Sequence, residues 1–108
     1  MYAVIFSNQL KEDTPAYRAT AQRMEELASE MPGFLGVQSV RNAAGFGITV
    51  SYWQSTRDIE HWRNNLEHIE AQKLGCKEWY SSFDLKVCEV QRESSFTADA
   101  AGLPHSNV

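Results

Sequence analysis

The stretch from Met31 to Ser55, MPGFLGVQSVRNAAGFGITVSYWQS, limits what this chain can fold into more than any other part. It opens on Met31-Pro32-Gly33, a helix stop: proline cannot continue a helix, and glycine takes the backbone angles that end one. Two strand-like runs follow. Phe34 to Arg41 alternates loosely, and Phe46 to Trp53 is rich in the β-branched and aromatic residues that a pleated surface prefers. Asn42-Ala43-Ala44-Gly45 between them reads as a hairpin turn, because Asn and Gly tolerate positive φ. Ser55-Thr56 then offers a helix N-cap. A helix therefore precedes this hairpin and another follows it.

The flanking residues supply those elements. Tyr2 to Ser7 is a short apolar run and reads as a first strand, with Tyr2, Val4, Phe6 and Asn8 on one face and Ala3, Ile5 and Ser7 on the other. Thr14 is placed to cap a helix with Pro15 at its first position, where no amide hydrogen is needed. From Tyr17 to Glu30 the period is helical, with an apolar stripe of Tyr17, Ala21, Met24, Leu27, Ala28 and Met31. The second helix opens at Ser55, with Asp58 suiting its N-terminus. Its stripe is Ile59, Trp62, Leu66 and Ile69, flanked by a polar face of His61, Asn65, His68 and Gln72, and Gly75 is expected to break it. A last strand is expected near Ser82 to Val90. After Arg92 the pattern stops, so residues 93–108 read as a flexible tail beyond one domain at 1–92.

The order strand, helix, strand, strand, helix, strand is the ferredoxin-like βαββαβ pattern, an α+β fold with an antiparallel sheet. Its helices cover one sheet face. In the second strand of the hairpin, Ile48, Val50 and Tyr52 point one way and Thr49, Ser51 and Trp53 the other, and neither set carries charge. An apolar face without helices marks an interface. The expectation is a homodimer packed through its sheet faces.

Charge and composition exclude other classes. With 10 Lys+Arg against 14 Asp+Glu the net charge is −4, and no basic stripe exists, so nucleic acid is not an expected partner. No apolar run approaches a membrane span. Cys76 and Cys88 are far from CxxC spacing, which fits a reduced, cytoplasmic protein.

The run PGFLGVQSVRNAAGFGITVSYWQSTRDIEHWRNNLEH resembles antibiotic biosynthesis monooxygenase (ABM) domains of the dimeric α+β barrel superfamily, and the resemblance extends over residues 2–92. Its most specific pieces are Pro32 to Gly36, Val50-Ser51-Tyr52-Trp53, and the helix carrying Trp62 followed by Glu67-His68. It implies a sheet-to-sheet dimer and a pocket between sheet and helices. Members of that family include cofactor-free oxygenases that oxidise polycyclic phenols with dioxygen, haem-degrading enzymes, and many proteins with no known substrate; a non-catalytic ligand-binding or stress-related dimeric barrel protein is the alternative to catalysis. The haem-degrading branch uses an Asn at the end of the first strand, a Trp in the second helix and a downstream His on iron. Asn8 and Trp62 match in kind and place, whereas the ligand position falls near Gln72, with His68 one turn earlier. Haem is accordingly the disfavoured alternative, and no cofactor or metal is expected.

The sequence-based expectation is a monooxygenase acting on a small, hydrophobic phenolic molecule. Asn8 would position a substrate oxygen, Trp62 would stack on the ring, and His68 would serve as general base. Phe6, Tyr52, Leu66, Gln72 and Tyr80 would line the pocket. Each has an ordinary structural alternative. Asn8 can simply end a strand by bonding nearby backbone, Trp62 lies on a core stripe, and His68 can be a solvated helix residue. His61 and His68, seven residues apart, supply too few ligands for a metal.

Overall fold

A computed structural model of the chain describes the backbone of residues 1–72, 78–98 and 104–107, and the side chains of residues 1–66 and 78–98. Strand β1 (Tyr2–Leu10), helix α1 (Pro15–Ser29), β2 (Phe34–Arg41), β3 (Phe46–Trp53), α2 (Thr56–Gln72) and β4 (Tyr80–Glu89) form the α+β ferredoxin-like unit. Its antiparallel sheet runs β2-β3-β1-β4. The expected breaks at Gly75 and the thiol of Cys76 lie outside the described residues.

The punctuation works as the residue types demand. Thr14 Oγ1 accepts the Tyr17 amide at 3.1 Å with Pro15 in the first turn of α1. Thr14→Ala is expected to cost about 1 kcal/mol, which thermal denaturation would register as a melting temperature lower by roughly 5 °C. Ser55 caps α2 reciprocally: its Oγ accepts the Asp58 amide at 3.1 Å and donates to Asp58 Oδ2 at 2.8 Å. Gly33 takes φ +80°, and Gly45 takes φ +88° in the turn between β2 and β3.

Register sorts the side chains into two faces. Asn8 lies opposite Gly47 and Phe83, Phe6 opposite Thr49 and Leu85, Val4 opposite Ser51 and Val87, and Tyr2 opposite Trp53. This is the helix-bearing face, since Trp53 stacks on Trp62 of α2 and Tyr17 of α1 meets Arg41. The opposite face carries Ala3, Ile5, Ile48, Val50, Tyr52 and Val40, with no helix against it among the described residues.

Two β-bulges alter the alternation, and each turns an aromatic ring toward the helices. In β2, Phe34 pairs with Trp53 and Gly36 with Tyr52, so Leu35 is the extra residue and Phe34 joins Trp53. In β4, Ser82 pairs with Gln9 and Tyr80 with Leu10, so Ser81 is extra and Tyr80 joins Phe83. The last strand consequently starts two residues before the expected Ser82.

The helices leave part of their face open. Helix α1 meets β2 and α2 meets β3, while Phe83, Leu85 and Val87 of β4 remain 50%, 54% and 48% exposed. Together with Val4 and Phe6 of the neighbouring strand they form an apolar strip on the helix-bearing face.

The expectation of a structureless tail differs from the structure at residues 95–98 and 104–107. There β5 (Ser95–Ala98) and β6 (Pro104–Asn107) pair as a separate two-stranded sheet. Backbone hydrogen bonding holds this hairpin without the apolar alternation by which a strand is recognised.

Candidate active site

Asn8 stands at one end of this strip, opposite Phe83. Its side chain is 2% exposed, and three elements converge on it. Arg41, the last residue of β2, reaches across β3 to donate from Nη2 to Asn8 Oδ1 at 2.7 Å and to the Tyr17 hydroxyl at 3.0 Å. Its Nη1 donates to the carbonyl of Gly45 at 2.7 Å, and the guanidinium carbon stands 5.4 Å from the centre of the Tyr17 ring. The Tyr17 and Tyr80 hydroxyls share a hydrogen bond at 3.1 Å.

Arg41 can cross β3 because the residue beneath it is Gly47. A Cβ at that position would lie 2.6 Å from the guanidinium carbon. Any side chain there would displace the guanidinium from Asn8.

A guanidinium only donates hydrogen bonds, so the carbonyl of Asn8 must be the end that faces it. The Asn8 Nδ2 group then points away from Arg41, and among the described residues it has no hydrogen-bond partner. A buried donor left unpaired costs the folded protein about 1–3 kcal/mol. Buried polar atoms without partners mark places where a ligand or water completes the bonding.

Aromatic rings wall this end. Phe6 meets Tyr80 edge-on at 5.4 Å and Phe83 at 5.7 Å, and Tyr17 meets Tyr80 at 5.8 Å and Trp79 at 5.7 Å. At the far end Trp62 stacks on the fully buried Trp53, ring centres 6.2 Å apart at 25°. Asn8 pairs with Gly47 and Tyr2 with Trp53, so the two ends are six residues apart on β3, roughly 20 Å along the strand. The structure thus sets Asn8 and Trp62 at opposite ends of one face rather than side by side. Val4, Phe6, Thr49 and Ser51 lie between them.

The expected pocket residues divide accordingly. Phe6 and Tyr80 gather with Asn8, and Leu66 is half-buried one turn beyond Trp62. Tyr52 is corrected: paired with Ala3 and Gly36, it lies on the opposite face of the sheet from Asn8 and cannot join it. His68 and Gln72 fall within α2, and their side chains lie outside the described residues. His61 and Asn65 are exposed. Sequence reading missed Arg41 and assigned Tyr17 only to the core stripe of α1. The one available signal was an arginine closing a strand four residues before a glycine that closes the turn.

A buried amide beside a cluster of aromatic rings, on one face of an antiparallel sheet with two helices, belongs to a protein of the α+β ferredoxin-like class. The model of the family described as antibiotic biosynthesis monooxygenase matches residues 1–74, which is more than half of the chain and runs from β1 through α2. The chain belongs to that family. It is 50% identical over 95 residues to the uncharacterized protein YqjZ of Bacillus subtilis (strain 168), covering 88% of this chain and 83% of that protein. Among solved structures it is similar to Rv0793 from Mycobacterium tuberculosis, with TM-score 0.73, 18% identity, and coverage of 87% of this chain and 98% of that one. It is also similar to SnoaB, a cofactor-independent oxygenase from Streptomyces nogalater, with TM-score 0.67, 10% identity, and coverage of 85% and 94%. At those identities the structural likeness establishes the fold.

Proposed function

We propose that this chain is a cofactor-independent monooxygenase that oxidises a hydrophobic phenolic molecule held between helices and sheet. The observation that carries this reading is the Nδ2 of buried Asn8, unpartnered among the described residues, at the end of an apolar strip with aromatic rings beside it. A phenolic oxygen is the acceptor that this donor lacks, and the rings of Phe6, Tyr80 and Phe83 suit a planar apolar body. In the proposed reaction the phenol gives up its proton, with His68 of α2 as the general base, and its electron-rich anion reacts with dioxygen. One oxygen atom ends in the quinone and the other in water. Trp62, at the far end, supports a substrate of more than one ring. The active form is a cytoplasmic homodimer packed through the helix-free face, where Val40 and Phe46 are 71% and 44% exposed beside Ile48. Light scattering is expected to give twice the mass of the chain.

The decisive measurement is oxygen uptake with a panel of phenols and hydroquinones and no added metal, flavin or haem. Turnover is expected for at least one polycyclic member, with Asn8→Ala and His68→Ala each lowering kcat/KM by about 100-fold. Binding detected by thermal stabilisation with no oxygen consumed would instead identify a ligand-binding protein without catalysis. Unchanged rates in both variants would reject the assigned roles.

A further inference from the structure

We infer that Arg41 is a positioning residue that turns the Asn8 amide so that its N–H donors face the ligand, making the site select an anionic oxygen over its protonated form. This rests on the reading above, in which Asn8 meets the substrate. It adds the charge state that the site prefers and the residue that sets it.

A terminal amide presents either a donor or an acceptor, and nothing in an isolated asparagine decides which. Here the decision is made from outside. The guanidinium is itself held by the carbonyl of Gly45 and the Tyr17 hydroxyl, so it is a fixed array of donors before Asn8 meets it. Gly47 leaves the passage through which it reaches Asn8. If the amide were reversed, two sets of donors would face each other at 2.7 Å.

The same arrangement leaves positive charge beside the strip. All three acceptors of Arg41 are neutral: an amide oxygen, a phenol and a backbone carbonyl. No carboxylate pairs with it among the described residues. Asp13 pairs with Arg18, Glu12 and Glu78 on the flanking segments are exposed, and Asp84 lies on the opposite face of the sheet. Among the described residues, the titratable groups that face the cluster are the phenols of Tyr17 from α1 and Tyr80 from β4. A cation drawing on the Asn8 carbonyl strengthens the N–H donors of the same amide, and a charge-assisted bond in a partly dry site favours a phenolate or enolate oxygen.

The test uses the full chain, without oxygen so that nothing turns over. Two probes are compared: para-nitrophenol, whose two protonation states differ in colour, and para-nitroanisole, which cannot ionise. Bound to the wild type, para-nitrophenol is expected to titrate roughly one pH unit below its free value, a tenfold preference for the phenolate. Arg41→Met and Asn8→Leu should each abolish that shift while para-nitroanisole still binds. Arg41→Lys keeps the charge but loses the fork, and should restore only part of the shift. A shift that survives in Asn8→Leu would mean that Arg41 does not act through Asn8, which overturns the inference. Both probes binding the wild type with no shift would overturn it and leave the proposed function standing. Binding of neither probe would overturn the phenol-binding function and the inference together. If Arg41→Met fails to give the wild-type circular dichroism spectrum, Arg41→Lys and Asn8→Leu decide the matter.

Discussion

Replacing Trp53 by alanine is expected to destabilise the protein by about 3–5 kcal/mol, the range for large aromatic residues removed from a core. Trp53 is the largest fully buried side chain among the described residues, with no exposed surface. Three elements close on it. Phe34, turned inward by the bulge in β2, meets it edge-on at 5.5 Å, Trp62 of α2 stacks on it at 6.2 Å, and its indole Nε1 donates to Ser51 Oγ at 2.9 Å. Alanine would leave a void that neither a strand nor a capped helix can collapse to fill. Trp53→Phe keeps most of the packing and loses the indole hydrogen bond, so it should cost less. Urea denaturation followed by far-ultraviolet circular dichroism reads both. A loss for Trp53→Ala below about 1 kcal/mol, the scale of a surface substitution, would show that the core does not centre on this residue. Because Trp62 packs on Trp53, affinity for the proposed ligand should fall with stability in Trp53→Ala.

The elements themselves were legible in the sequence because each is announced locally. Thr14-Pro15, Met31-Pro32-Gly33, Asn42 to Gly45 and Ser55 with Asp58 are caps and turns whose chemistry lies within four residues. The face assignments of β1 and β3 follow from a period of two, and the structure keeps them. Register between strands is not local. The alternation of β3 put Tyr52 and Trp53 on opposite faces, yet nothing in it told which of those faces would join Asn8, and Tyr52 was assigned to the pocket. Pairing of Asn8 with Gly47 decides the matter, since Thr49, Ser51 and Trp53 then share the face of Asn8. The bulges at Leu35 and Ser81 are likewise invisible to a period count, because one unpaired residue reverses every side chain beyond it.

The polar centre of the site was the least legible part. Asn8, Arg41 and Tyr17 come from three elements separated by 33 and 24 residues in the hydrogen bonds that join them. Gly47 has an ordinary strand role in the sequence, and its absent side chain matters only because a guanidinium from the next strand passes over it. Tyr17 occupies a helical stripe position and is buried as that predicts, but its hydroxyl meets Arg41 and Tyr80. A periodicity argument sees the ring and not the oxygen at its tip.

Gly33→Ala is expected to approach the loss for the core truncation, although it adds a single methyl group. The residue sits at φ +80°, where a side chain costs about 1–2 kcal/mol in backbone strain. A Cβ there would also lie 2.0 Å from Asp58 Oδ2 and 2.3 Å from its Cγ. Asp58 can yield only by leaving Ser55 Oγ, the partner in the cap of α2, which adds about 1 kcal/mol. The turn cannot shift away freely, because the Gly33 carbonyl accepts the Gln54 amide at 2.8 Å and so ties the end of α1 to the end of β3. A total loss of roughly 2–3 kcal/mol follows from these two contributions. A double-mutant cycle separates them. Asp58→Gly removes all three of the nearest atoms, including the Cβ that would lie 2.8 Å away. In that background Gly33→Ala should cost little more than the backbone strain, giving a coupling of about 1 kcal/mol between the sites. Additive losses would mean that strain alone governs Gly33. Coupling would show that the helix stop after α1 and the cap of α2 act as one junction, the junction that holds Trp62 over Trp53.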